Sequence, residues 1–197
     1  MQITAIIKQK NGSYDVYVDG EKSERLDAVV LASNKKIKVG AEITPDELEK
    51  VKRESGENFA FESALKYISR NMRTESEVRT KLLSLGYSET NAEYAIDKLK
   101  SYGYVNDLSY AKAYVSTYGR NRGRIRLSFE LANKGVERDI IESALPCDDS
   151  VTAMIVAQGK VNKYTDREKM TRYLLSRGYE YDVARAVARE VLDEKHD

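Results

Sequence analysis

Four arginines lie within seven residues near the middle of the chain, and the chemistry they offer is anion binding. They are Arg120, Arg122, Arg124 and Arg126. The apolar pattern after Gly123 predicts a new helix there, and the free N–H groups of a helix start make nearby cations unfavourable by about 0.3–1 kcal/mol each. Helix starts and arginine forks both hold phosphates and carboxylates. The cluster therefore predicts contact with an acidic or nucleic-acid partner, and a solvated basic loop is the plainer alternative.

The chain around this cluster has an excess of basic residues over acidic ones. No acid occurs in the 22 residues from Leu108 to Phe129, which also contain Lys112. The segment 108–146 has seven basic and four acidic residues, a net charge of +3, although the whole chain of 197 residues carries only +1. We therefore expect an acid-seeking surface to be centred on this segment.

Residues for catalysis or metal binding are scarce. His196 is the only histidine, no Cys/His metal spacing occurs, and neither a phosphate-binding glycine loop nor a Ser-His-Asp set is present. We expect a protein that is not an enzyme and has no cofactor and no metal. The single cysteine, Cys147, excludes an internal disulfide. With no signal-peptide pattern and no apolar run of about 18 residues, the sequence predicts a cytoplasmic protein that does not contact membranes.

The first 57 residues predict a small α+β unit. Two strand-like runs flank Asn11-Gly12, the strongest short signal for a β-hairpin, and a third short strand is expected near Glu24. A short buried helix then precedes Thr44, which begins a capping box with Glu47. The helix that follows is expected to end at about Glu54, before Ser55-Gly56.

From residue 59 onward the pattern is helical and repeats. Gly86, Gly135 and Gly178 each follow an apolar helix and precede a second one, at spacings of 49 and 43 residues. The fold class predicted is mostly α, with three tandem three-helix repeats in an elongated curved array. The domains expected are 1–57, 58–107, 108–146 and 147–197. A single helical bundle is the alternative.

The loop between the first two helices is basic in every repeat. Arg70 and Arg73 lie there in the first repeat and Lys163 in the third, which makes them weaker candidates for the same contact. Tyr110, Tyr114 and Tyr118 follow the four-residue spacing of one helix face. We interpret this stripe as core, although exposed tyrosines beside arginines could stack on unpaired bases.

Three stretches resemble the RecX family of bacterial regulatory proteins. They are ALKYISRNMRTESEVRTKLLSLGYS, KSYGYVNDLSYAKAYVSTYGRNRGRIRLSFELANKGV and DIIESAL. The resemblance covers Phe59 to Leu145 well and the third repeat more loosely. Tyr110 departs from the phenylalanine usual in the family, and RNRGRIR departs from its common lysine-glycine-proline.

The resemblance implies a modulator of the RecA recombinase that is not an enzyme. Such proteins bind the RecA–single-stranded DNA filament in its groove and restrain filament growth, strand exchange and ATP hydrolysis. We expect a monomer here, with the four arginines at the contact. One alternative is a helix-turn-helix module that binds single-stranded or duplex DNA directly, although FELANKG offers mainly Glu130 and Asn133 for reading bases. A scaffold for another acidic protein is a third possibility.

Overall fold

A computed structural model describes residues 1–193 and contains, over that range, one three-stranded sheet and ten helices. The strands are β1 (Ile3–Lys8), β2 (Tyr14–Val18) and β3 (Glu21–Leu26). The helices are α1 (Ala28–Ser33), α2 (Pro45–Ile68), α3 (Glu75–Ser84), α4 (Glu89–Ser101), α5 (Asp107–Tyr118), α6 (Arg124–Ala132), α7 (Arg138–Ala144), α8 (Ser150–Gln158), α9 (Arg167–Ser176) and α10 (Tyr181–Asp193).

The N-terminal sheet is antiparallel with the order β1-β2-β3, and Asn11-Gly12 lies in the turn between the first two strands. The Asn11 side chain accepts a hydrogen bond from the backbone N–H of Ser13, and the next turn takes positive φ angles at Asp19 and Gly20, 52° and 89°. One face packs on α1 and α2 over a small core that includes Ile3, Val16 and Leu26. The predicted hairpin, third strand and short helix are confirmed.

The helix predicted to end before Ser55-Gly56 does not end there, and that prediction is wrong. After the capping box of Thr44 and Glu47, α2 runs for 24 residues, so the expected boundary after residue 57 falls inside it. A Cβ on Gly56 would lie 2.6 Å from the Asn91 amide nitrogen of α4. Gly56 thus lies where α2 packs against α4, and burial of α2 on that helix outweighs the weak helix propensity of a single glycine.

The three glycine turns share one backbone geometry. Gly86, Gly135 and Gly178 have φ angles of 87°, 76° and 86°. In each turn the N–H of the following residue bonds to the carbonyl five positions earlier, as in Tyr179 to Leu174, which closes the preceding helix. The expected helix–glycine–helix repeat and the mostly helical fold class are thereby confirmed.

Each three-helix segment has its own apolar core. Leu82, Ile96 and Leu99 belong to the first, which also contains residues of α2. The second core is formed by residues from α5, α6 and α7, and the third by residues from α8, α9 and α10. The Asp166 side chain caps α9 by accepting from the N–H of Lys169.

Two compact units result from the packing. One comprises Met1–Met72 with Val78–Val105, and the other comprises Arg73–Glu77 with the chain from Asn106 onward. The four-domain division stays a prediction. No helix among residues 1–193 is long and apolar enough to cross a membrane, and no group of metal-ligating side chains occurs among those residues. His196 lies outside the described residues.

Candidate partner-binding surface

The arginine cluster lies at the junction of two helices in the second unit. Asn106 caps the start of α5, and α5 ends at Gly119, so Arg120 and Arg122 occupy the connection to α6. Arg124 is the first residue of α6 and Arg126 lies in its first turn. Local structure therefore places the four side chains on one short stretch without pointing them in one direction.

Two of the arginines share a carboxylate with a tyrosine. Arg122 Nη1 lies 2.6 Å from Glu130 Oε2, and Arg126 Nε lies 3.0 Å from Glu130 Oε1. The Tyr114 hydroxyl donates to Glu130 Oε2 at 3.1 Å. The guanidinium carbon of Arg122 lies 4.4 Å from the centre of the Tyr118 ring, a cation–π distance. These contacts hold the Arg122 side chain in one orientation.

The protonation of this cluster follows from its burial and hydrogen bonds. Burial favours the neutral acid of Glu130, but hydrogen bonds from Arg126, Tyr114 and Arg122 outweigh it, so its pKa lies below its ordinary value. Burial, followed by the Glu130 carboxylate, raises the pKa of Tyr114. Burial opposes the charge of Arg122, yet its bond to Glu130 leaves the pKa raised. Glu130 is thus a fixed anion among fixed cations.

Arg124 belongs to a different set of contacts. Its Nη1 donates to the Pro146 carbonyl at 2.6 Å, and its Nη2 pairs with the Glu142 carboxylate. Its backbone N–H donates to Asp149 Oδ2 at 2.8 Å. Arg124 therefore fastens the start of α6 to α7 and to the segment that leads into α8.

The start of α6 is already supplied with acceptors. Besides the bond to Asp149, the N–H of Gly123 donates to the Arg177 carbonyl at 2.9 Å, and that of Ile125 to the Gly178 carbonyl at 3.0 Å. The anion expected at this helix start is thus a carboxylate of the same chain. The N–H groups of Gly123, Arg124 and Ile125 are therefore not open to a phosphate.

The remaining candidates are spread over the chain. Arg120 and Lys112 are exposed in the second unit, and Lys163 is exposed with its Nζ 5.4 Å from the Tyr164 ring. Arg73 is half-buried just before α3, and Arg70 is exposed but belongs to the other unit. The structure thus brings Arg122 and Arg126 to one carboxylate and gives Arg124 separate partners.

The tyrosine stripe divides between core and surface. Tyr110 and Tyr114 are half-buried and pack against the core of the second three-helix segment, which confirms the core interpretation for both. Tyr118 is 40% exposed, and its ring centre lies 4.5 Å from that of Tyr114. The outermost tyrosine therefore supports Arg122 from the solvent side.

Two apolar residues of α6 that were not among the predicted site residues point outward. Ile125 is 55% exposed, and Phe129 is 67% exposed. The buried stripe of α6 is Leu127 and Leu131. Ile125 and Phe129 form a second stripe, also four residues apart, and that doubling was the available signal. We call Arg120, Arg122, Ile125, Arg126 and Phe129 the α6 surface.

Comparisons with known proteins match the same region. Family models of the first and second three-helix domains of RecX match residues 60–99 and 106–145. The regulatory protein RecX of Clostridium botulinum is 37% identical over 144 residues, 67% of this chain and 68% of that protein. The one from Clostridium perfringens is 31% identical over 99% of this chain and 98% of that protein.

The chain belongs to the RecX family. A crystal structure of RecX from Lactobacillus salivarius has a TM-score of 0.64 at 29% identity, covering 69% of this chain and 96% of that one. Another crystal structure of regulatory protein RecX covers 98% of both chains with a TM-score of 0.71 at 24% identity, and it supports the fold. The family resemblance carried by the repeat motifs is confirmed, and RecX is a family of regulatory proteins.

Proposed function

We propose that this RecX protein binds the RecA–single-stranded DNA filament in its groove and restrains filament growth and RecA-driven ATP hydrolysis, without catalysing a reaction itself. The observation that carries the proposal is the exposure of Phe129 and Ile125 beside Arg126 on one side of α6. An aromatic anchor next to arginine is typical of the centre of a protein–protein contact.

The helical positions support a single contact face. Ile125, Arg126, Phe129 and Glu130 follow the spacing i, i+1, i+4, i+5, which is one side of a helix, and Leu127 faces the core. A protein surface that offers an apolar pocket and acidic side chains would meet both parts of this face. The bound phosphates of a filament would add anions at its edge.

The ion pairs of Arg122 and Arg126 with Glu130 change how these arginines would contribute to partner binding. Because Glu130 already partly neutralises Arg122 and Arg126, they supply orientation and hydrogen-bond donors more than free charge. A fixed guanidinium loses little entropy on binding a carboxylate, which favours a specific partner. Arg120, exposed at the edge, is the residue that supplies long-range attraction. Lys112, Arg70, Arg73 and Lys163 are proposed as secondary contacts.

Direct DNA binding through α6 is the second candidate, and fewer observations favour it. A helix start can hold a phosphate only with free N–H groups, and those of Gly123, Arg124 and Ile125 are bonded within the chain. Exposed phenylalanine and isoleucine are also poor partners for a phosphate backbone. A protein contact therefore explains more of the α6 surface than duplex binding does.

Replacing Phe129 tests the proposal with little risk to the fold, since its side chain is mostly in solvent. We expect Phe129→Ala to weaken co-sedimentation with RecA filaments about tenfold or more, as loss of an interface anchor does. Inhibition of RecA-driven ATP hydrolysis should weaken in parallel. The matched control is Ile155→Ala on α8, a residue 61% exposed, for which no change is expected.

A second test of the proposed function reverses one exposed charge of the α6 surface. Arg120→Glu should weaken binding more at low salt than at high salt, because it removes a screened long-range attraction. Arg124 is unsuitable for this test, since it holds Pro146 and Glu142 within the chain. If Phe129→Ala inhibits RecA as well as the unaltered protein does, the α6 surface is the wrong site. If the unaltered protein does not sediment with the filaments, the RecA partner itself is wrong. Light scattering would test the expected monomer.

A further inference from the structure

Helices α9 and α10 form a groove in which four of the ten lining residues are arginines. Its volume is about 830 Å³, and α9 and α10 each contribute residues at i, i+1, i+4, i+5 and i+8. The start of α9 meets the end of α10 through Arg167 and Asp193, so the helices are antiparallel and the groove follows their length. Residues 167–189 lie outside both stretches that the RecX domain models match.

The charges in this α9–α10 groove are unbalanced. Four arginines line it, against the carboxylates of Glu168 and Asp182: Arg167, Arg172, Arg185 and Arg189. Arg167 and Arg189 both pair with Asp193, in the second case at 3.7 Å. No carboxylate among residues 1–193 pairs with Arg172 or Arg185. Arg172 Nε donates only a long hydrogen bond, 3.5 Å, to the Glu168 carbonyl, so the terminal nitrogens of Arg172 and the Arg185 guanidinium are left for an external anion.

One end of the groove has apolar character. Tyr181, the first residue of α10, is 56% exposed, and Leu175, near the end of α9, is 37% exposed. Both line the groove together with the arginines. A ligand that fits must therefore carry anionic groups and flat or apolar groups a short distance apart.

Arg172 also lines a second, smaller concavity. This second space, of about 350 Å³, is lined by Tyr164, Lys169 and Tyr173 as well as by Arg172. The two tyrosine rings stack with their centres 4.8 Å apart, and the Arg177 guanidinium lies 5.3 Å from the centre of the Tyr173 ring. Cations and aromatic side chains therefore line both concavities, and Arg172 belongs to each.

We propose that the α9–α10 groove binds single-stranded nucleic acid, with phosphates on Arg172 and Arg185 and bases against Tyr181 and Leu175. Cations beside aromatic rings suit a single strand, because every base has a face to stack while the backbone is held by charge. Duplex is disfavoured, since its grooves accept a protruding helix, whereas this surface is concave. The proposal concerns different residues from the α6 surface and does not depend on RecA.

The test measures binding of the full chain, without RecA, to a fluorescent oligo(dT) of about 16 nucleotides. Reversing both central arginines, Arg172→Glu with Arg185→Glu, should weaken binding about tenfold or more. The slope of log affinity against log salt should fall by about 1.4, since each phosphate contact on a single strand contributes about 0.7. The double variant Arg172→Gln with Arg185→Gln should also lose affinity for oligo(dT), but less than the glutamate variant. It tests the same two residues if the charge reversal unfolds the protein.

Two further variants separate the groove from general charge. Arg53→Glu with Arg138→Glu changes the net charge equally, at exposed sites on α2 and α7, and should leave the affinity within about twofold at physiological salt, where distant charges are screened. Tyr181→Ala should weaken oligo(dT) binding about fivefold or more, as loss of a stacking partner does, while binding of inorganic polyphosphate stays the same.

Several results would overturn the proposal. They are an unchanged affinity and salt slope for the Arg172 and Arg185 variants, or an equal loss for the Arg53 and Arg138 pair. Equal affinity for duplex of the same length through the same arginines would rule out a single-strand groove. Competition by poly-glutamate as strong as that by unlabelled oligo(dT) would assign the groove to an acidic protein segment instead.

Discussion

The carboxylate of Asp149 accepts a hydrogen bond from the backbone N–H of Arg124 at 2.8 Å, and this contact repeats an earlier one in the chain. Asp107 accepts from the N–H of Glu75 at 2.9 Å. Each acid is buried at the start of the first helix of one three-helix segment, and each donor begins the second helix of the preceding segment. The same contact between a buried acid and a helix start thus occurs twice within the second unit.

Removing the Asp149 carboxylate should weaken the junction between α6 and α8. We expect Asp149→Ala to lower the free energy of unfolding by about 1–3 kcal/mol, because it leaves a buried N–H without an acceptor. Asp149→Asn keeps an oxygen there and should lose less. Urea denaturation measures both. The control is Asp97→Ala at an exposed position on α4, and equal stability of Asp97→Ala and Asp149→Ala would show that the bond contributes nothing.

A side chain at Gly123 should not be tolerated. A Cβ there would lie 2.3 Å from the Tyr179 backbone nitrogen and 2.4 Å from the Gly178 carbonyl, and backbone cannot rotate away as a side chain can. Gly123→Ala should therefore lower stability by about 1–3 kcal/mol, the usual effect of overpacking. Thermal unfolding compares it with Gly159→Ala, whose nearest contact would be 3.6 Å. Similar melting temperatures for the two variants would contradict the close approach.

Loss of the Glu130 charge should change both stability and the ionisation of Tyr114. Glu130→Gln is expected to lower the free energy of unfolding at neutral pH by about 1 kcal/mol, since it weakens bonds to two partly exposed arginines. It should also lower the pKa of Tyr114 towards its ordinary value of 10.0, leaving the part due to burial. Resonances of ¹³C-labelled tyrosine report the titration. An unmoved Tyr114 titration would mean that burial alone raises its pKa.

The sign of the pH dependence follows for both groups. The pKa of Tyr114 is raised in the folded state. Its contribution to the free energy of unfolding is therefore complete below pH 10.0 and is lost as the pH rises through the folded-state pKa. The pKa of Glu130 is lowered in the folded state. Its contribution to the free energy of unfolding is therefore present above pH 4.5 and is lost as the pH falls through the folded-state pKa.

Acid should weaken the start of α2 through Glu47. Bonds from Lys36 first, and then from the Thr44 backbone N–H and hydroxyl, lower the pKa of Glu47 to about 2. The contribution of Glu47 to the stability of the fold is therefore present above pH 4.5 and is lost as the pH falls towards 2. Solvent screening keeps this contribution small. Glu47→Gln should make the melting temperature fall slightly less between those pH values. Glu62→Gln, at an exposed site on the same helix, should keep the full acid dependence.

Local rules account for what could be predicted about the fold. The Asn11-Gly12 hairpin, the Thr44 capping box and the glycine turns all depend on residues within about five positions of one another, so the sequence specifies them directly. The helix break at Gly56 was predicted from the same rules and was wrong. The reason lies in α4, whose buried residues Ala92 and Ile96 share one core with α2, so that the helix continues through Gly56.

The candidate site was predictable in position but not in chemistry. The sequence by itself determined the fold class, the glycine repeat and the presence of arginines between α5 and α6. Only tertiary structure decided that Glu130 holds Arg122 and Arg126, that Asp149 occupies the start of α6, and that Ile125 faces solvent. The physical reason is that charge pairing and burial depend on which helices pack together. The periodicity of a helix predicts which residues share a face, but it does not predict which other helix that face will contact.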